Sequence, residues 1–99
     1  MHRRTKALAI SRKTKQRVWE RDGGTCVLCG CSRGAFPEAH FISRAQGGLG
    51  IEQNIVTLCR RCHDEYDNGI CRNEIRETLR TYLKSKYPDW SEEKLVYHK

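Results

Sequence analysis

Ninety-nine residues, 37% of them hydrophobic, suffice for one domain with a small core, so a second means of holding the fold is expected. No run approaches the roughly 20 apolar residues of a membrane span. Residues 1–6 are basic and only residues 7–10 follow as an apolar run, which argues against a signal peptide and for a reducing, cytoplasmic compartment. The formal charge of +7 sits in the first fifth of the chain: eight Lys or Arg against one acid up to Arg21, then eleven of each sign.

In chain order, residues 1–10 read as a basic arm. Arg3, Arg4 and Lys6, with Arg12, Lys13 and Lys15 beyond it, are candidate nucleic-acid contacts, because each phosphate neutralised releases condensed counterions. A solvated tail is the other reading of the same charge. A helix capped by Ser11 or Thr14 is expected to run to about Arg21, with Val18 and Trp19 as its buried side and Asp22-Gly23-Gly24 as its stop. Residues 26–58 are loop-rich, with short strands expected at 39–42 and 55–58 around a turn at 47–50. A helix over 61–68 should follow, ended by Gly69. A longer helix over 72–86 places Ile75, Leu79, Tyr82 and Leu83 on one face and stops before Pro88. Arg72, Arg76, Arg80 and Lys84 recur every four residues beside that face, a pattern that a solvated helix surface explains best. Asp89 with Glu92 resembles a capping box for a last turn carrying Trp90 and Leu95.

Cys26-Val27-Leu28-Cys29 and Cys59-Arg60-Arg61-Cys62 each place two thiols with two residues between them, and 29 residues separate the pairs. Two such knuckles can supply the four sulfurs of a tetrahedral structural zinc site, closed to further ligands. Redox pairs or disulfides explain two matched knuckles less well in a chain read as cytoplasmic. Cys31 could replace one of the four, and Cys71 has no assigned role.

Between and after the knuckles run Glu38-Ala39-His40-Phe41-Ile42-Ser43-Arg44-Ala45-Gln46-Gly47-Gly48 and Asn54-Ile55-Val56-Thr57-Leu58-Cys59-Arg60-Arg61-Cys62-His63. This pattern resembles the HNH endonucleases, in particular the small bacterial and phage proteins braced by two CxxC knuckles. The resemblance implies a small α+β fold with a zinc-stabilised ββα-metal (His-Me finger) core over 18–69, flanked by N- and C-terminal helices in a single domain, 1–99. It also implies that His40 is the general base, that Asn54 braces the loop orienting it, and that His63 holds one catalytic divalent ion. Asp67 lies four residues beyond His63 on the same helical face and is read as a second ligand. Nitrogen and carboxylate donors do not select among magnesium, manganese, nickel and zinc. Ala39 stands where the family often carries Asp or His as a further ligand. Glu38 reaching in, a water, or His40 acting as a ligand are the alternatives, and alternation along a strand favours Glu38.

The expected function is metal-dependent hydrolysis of DNA phosphodiester bonds by a His-activated water. The alternative is a zinc-stabilised DNA-binding module with a weak or inactive site. DNA is the expected partner, with room for a protein partner in a DNA-processing complex and none for a membrane.

Overall fold

The computed structural model describes residues 3–98, with side chains from Thr5 onward. Six elements follow one another: α1 (Arg3–Leu8), α2 (Arg12–Arg21), β1 (Ala35–His40), β2 (Ile55–Cys59), α3 (Arg60–Asn68) and α4 (Arg72–Lys86). The chain is thus a small α+β fold whose two strands pair antiparallel, with Ala35 opposite Cys59 and His40 opposite Ile55. Among the described residues no helix is long and apolar enough to cross a membrane.

The expected arm is replaced by α1 and an ordered segment behind it. Leu8 is buried, and the Gly50 N–H donates to the Ala7 carbonyl at 3.1 Å. In α2 the Ser11 hydroxyl accepts from the Thr14 N–H at 3.1 Å, and the helix ends where Gly23 and Gly24 adopt positive φ of 69° and 70°. Val18 is fully buried as expected, but Trp19 is 39% exposed and lies against Gly24. The buried face of α2 runs instead through Val18 and Asp22, one turn apart, and the second of these is polar.

That polar position anchors a network the sequence did not disclose. Arg21 donates to the carbonyls of Glu52 at 2.8 Å and Ile55 at 2.7 Å, to the Tyr87 hydroxyl at 3.0 Å and to Asp22. Asp22 in turn accepts from the Thr57 N–H at 2.9 Å and from the Tyr82 hydroxyl. Burial works against the Arg21 charge, but Asp22 and Tyr87 outweigh it and raise its pKa. The Asp22 carboxylate is fully inaccessible, so removing its counter-charge strands an ion in the interior. Arg21→Ala should therefore cost about 3–5 kcal/mol, read as a lower urea midpoint at unchanged metal content. Arg21→Lys should rescue little, since one ammonium cannot reach all these acceptors.

β1 begins earlier than expected and carries a register shift between Phe36 and Ala39, a stretch that includes Pro37, which has no N–H to give the ladder. All five residues of β2 are buried, because α2 packs on the strand as well as α3. Leu79 and Leu83 of α4 are fully buried in a core with Phe41, Val56, Leu58 and Leu95. Of the basic stripe on α4, Arg76 and Arg80 each bond Glu92 at 3.1 Å, and the Arg76 guanidinium lies 5.0 Å over the Phe41 ring. Burial would raise the Glu92 pKa, but the two arginines lower it, and the trio fastens the last turn to α4.

That turn is a 3-10 helix at Glu92–Leu95 with Ser91, not Asp89, before it and no side-chain cap. It carries the buried Leu95, while Trp90 precedes it, edge-on to Phe41 at 5.5 Å. Gly69 does end α3, though by close approach and not by a left-handed φ: a Cβ there would sit 2.5 Å from the Glu65 carbonyl oxygen.

Candidate active site

Cys26 and Cys29 lie in the turn after Gly24, Cys59 ends β2, and Cys62 stands in the first turn of α3. All four Sγ atoms lie within 4.8 Å of one another, with Cys29 and Cys59 3.7 Å apart and no disulfide among them. Tetrahedral Zn–S bonds of about 2.3 Å give sulfur–sulfur edges of roughly 3.8 Å, so the quartet fits one zinc ion. Burial raises the Cys26 thiol, but the N–H groups of Cys29, Cys59 and Leu28 prevail and bring it down to about 7. Burial and the neighbouring sulfurs push Cys62 up. Four crowded sulfurs cannot all ionise unaided, and a cation is what such a set accommodates. Cys31 lies outside the quartet, exposed, its Sγ on the Arg33 carbonyl at 3.3 Å; Cys71 is exposed before α4.

Beside this cluster opens a cleft of about 520 Å³ lined by Lys15, Glu38, His40, Arg44, His63 and Asp67, among others. His40 is the last residue of β1, and His63 and Asp67 share one face of α3, with Nε2 and Oδ2 3.4 Å apart. Glu38 does face the same cleft as His40, but its carboxylate pairs with Lys15 at 3.1 Å. Ala39, between them, is buried in the core, so a longer side chain there would point inward and away from the cleft. Among the described residues, only the four cysteines form a group of three or more whose metal-binding atoms lie mutually within 4.8 Å. His63 and Asp67 stand as a pair.

The His40 Nε2 lies 3.0 Å from the Leu8 carbonyl oxygen. A carbonyl only accepts, so Nε2 carries the hydrogen and the lone pair of the neutral ring falls on Nδ1. Burial lowers the His40 pKa, the Leu8 bond opposes this, and Arg44 and His63 reinforce it, which leaves the ring neutral at pH 7.

Asn54 is outside the cleft and fully buried behind it. Its Oδ1 accepts from the Ile42 N–H at 2.8 Å, and its Nδ2 donates to the carbonyls of Ile42 at 3.1 Å and Leu49 at 2.9 Å. Gly48 makes room: a Cβ there would stand 1.7 Å from the Ile42 oxygen and 2.9 Å from Asn54 Nδ2. Asn54→Ala orphans three backbone groups, the two of Ile42 buried and that of Leu49 partly so, and should lower stability by roughly 2–4 kcal/mol, seen as a depressed melting temperature.

Two further residues hold the site together. The Tyr66 hydroxyl donates to the Phe41 carbonyl at 2.7 Å, tying α3 to the residue after His40, and Arg44 lines the cleft. The four-residue spacing of Cys62 and Tyr66 on the buried face of α3 is the signal that could have marked the tyrosine. Of the expected nucleic-acid contacts, Lys6, Arg12 and Lys13 are exposed and Lys15 is paired with Glu38. The side chains of Arg3 and Arg4 lie outside the described residues.

The family model for the HNH endonuclease matches residues 26–69, which hold both knuckles, His40, Asn54, His63 and Asp67. Over 64 residues the chain is 30% identical to Anaredoxin of Nostoc sp. (strain PCC 7120), an alignment spanning 65% of this chain and 84% of that protein. This chain belongs to the HNH endonuclease family. No solved structure matches it significantly. In this HNH chain the family match begins at Cys26 and ends at Gly69, so α1, α2 and α4 all lie outside the matched core.

Proposed function

We propose that this HNH protein is a metal-dependent DNA endonuclease, a single domain in which residues 18–69 carry the site and 72–86 buttress it. The observation that carries the reading is the cleft lined by His40 and the His63–Asp67 pair together with the cations Lys15 and Arg44. His63 and Asp67 would hold one divalent ion (magnesium, manganese, nickel or zinc), which supplies acidity to water and neutralises charge on the phosphate. His40 takes the proton of the attacking water on Nδ1, since Nε2 is spent on Leu8. The attack breaks one P–O bond of the backbone. Lys15 and Arg44 draw the phosphate in, with Lys6, Arg12 and Lys13 extending the cationic track. Asn54 contributes by bracing the loop behind the base, and the four thiolates hold a zinc that takes no part in the reaction. The reading places the protein with DNA in a reducing cytoplasm.

A second reading, DNA binding with little or no cleavage, is favoured by one observation: among the described residues His63 and Asp67 stand as a pair with no third metal-binding group drawn up to them, because Glu38 is paired with Lys15 and Ala39 is turned inward. Incubating supercoiled plasmid with the protein and each metal in turn separates the two. Relaxed or linear product that disappears with chelator is expected; a plasmid left intact by every metal, though bound, decides for the second reading.

A further inference from the structure

The hydrogen-bond partner of His40 does not come from the matched HNH core. It is the carbonyl of Leu8, in the segment that precedes α2. Three independent contacts seat that segment. The Leu8 side chain is 3% exposed, the Gly50 N–H donates to the Ala7 carbonyl at 3.1 Å, and Gly50 lies so close that a Cβ would fall 2.1 Å from the Ala9 carbonyl oxygen. Ala9 and Ile10 then form part of the cleft wall. A free imidazole exchanges its hydrogen between its two nitrogens, and only a fixed acceptor on one of them selects the tautomer and the ring plane. Among the described residues the acceptor that meets the ring is the Leu8 carbonyl and none from the loop that Asn54 braces.

We propose that residues 7–10 are a positioning element of the nuclease site, the Leu8 carbonyl holding His40 as the Nε2–H tautomer with Nδ1 left to accept a proton. The inference rests on the endonuclease reading for its consequence in rate, and on the hydrogen bond alone for its consequence in the ring. Leu8 touches neither substrate nor ion. Its part is to select, through His40, which nitrogen is basic.

Two substitutions unseat the segment from opposite sides. Leu8→Ala removes its buried anchor, and Gly50→Ala pushes a methyl into the Ala9 backbone, which cannot yield as a flexible side chain could. In full-length protein with its structural metal bound and ring-nitrogen-labelled histidine, the His40 signals are assigned by difference from His40→Gln. Wild type is expected to show a protonated Nε2 and an unprotonated Nδ1 at neutral pH, and both variants a mixture of tautomers. With saturating plasmid, kcat should fall roughly tenfold to a hundredfold while KM changes less than about threefold. Leu8→Met should restore both. Metal content and melting temperature show which variant has kept its fold, and either one suffices. Unchanged ring signals in a folded variant overturn the proposal, as does an Nδ1–H tautomer in wild type. Ring signals that shift as expected in a protein that never cuts plasmid uphold the contact and defeat the endonuclease reading instead.

Discussion

Stripping the metal from the four-cysteine cluster is expected to unfold the chain. Structural zinc in small domains contributes an apparent 10–16 kcal/mol or so, about as much as or more than the net stability of an ordinary domain. Here the four sulfurs gather the turn at 26–29 onto the junction of β2 and α3, a seam that otherwise has the Val27 N–H bond to the Thr57 carbonyl at 3.0 Å and the packing of Val27 and Leu28. The turn contributes few apolar side chains of its own beyond Val27 and Leu28, both only partly buried. Without the ion, four thiols confined within 4.8 Å lose their common partner, and α3 loses its tether to the loop. The purified chain should carry close to one zinc, and a strong chelator should abolish the cooperative melt. Cys62→Ser should do the same, whereas Cys31→Ser and Cys71→Ser, at exposed positions outside the quartet, should leave the melting temperature unchanged. A metal-free chain that still melts cooperatively at the same temperature would show the cluster to be dispensable.

The second large effect is kinetic. His40→Ala should reduce plasmid cleavage about 10²- to 10⁴-fold with affinity for DNA retained, as expected for a general base that makes no phosphate contact. The pH profile gives an independent check. Because burial, Arg44 and His63 lower the His40 pKa, the rate should rise with pH only on the acid side and be flat by pH 7. The sign for stability is the same. Folding favours the neutral ring, so the unfolded chain binds the extra proton, and the ring's contribution is complete above about 6.5 and declines below it. A rate still climbing between pH 7 and 8 would contradict a His40 held neutral. Equal losses of binding and cleavage in His40→Ala would assign the residue to substrate contact.

Much of the architecture could be read from residue type and spacing, and the parts that could not share a physical cause. The α4 boundaries follow from Ile75, Leu79 and Leu83 at helical spacing and from Pro88, all local signals. The knuckles are legible because thiols at a spacing of three leave few other uses. The resemblance singled out His40 and His63, and the four-residue spacing on α3 singled out Asp67; all three line one cleft. The Arg21–Asp22 network was hidden because a count of charges treats Arg21 as surface, while its partners are carbonyls of Glu52 and Ile55, which every sequence has everywhere. The same blindness concealed the Leu8 carbonyl. Backbone acceptors have no letter, and only the fold says which of them a side chain will find. Trp19 was misplaced for a related reason: its size suggested burial, but Asp22 had already claimed that face of α2.

The loop at 47–50 is gripped from both directions along the chain. Residues 7–9 meet it at Gly50, while the Leu49 N–H donates to the Leu95 carbonyl at 2.7 Å and the Tyr97 N–H to the Gly47 carbonyl at 2.8 Å. During synthesis these partners arrive at very different times. The segment whose Leu8 carbonyl meets His40 leaves the ribosome first, but Leu49 and Gly47 wait for residues 95–97, roughly 2–10 s later at about 5–20 residues per second. For the later part of that interval, once residue 68 has been made, the knuckles and α3 are available while one side of the loop still faces water. A nascent chain can thus bring its four cysteines together before it finishes the frame around His40.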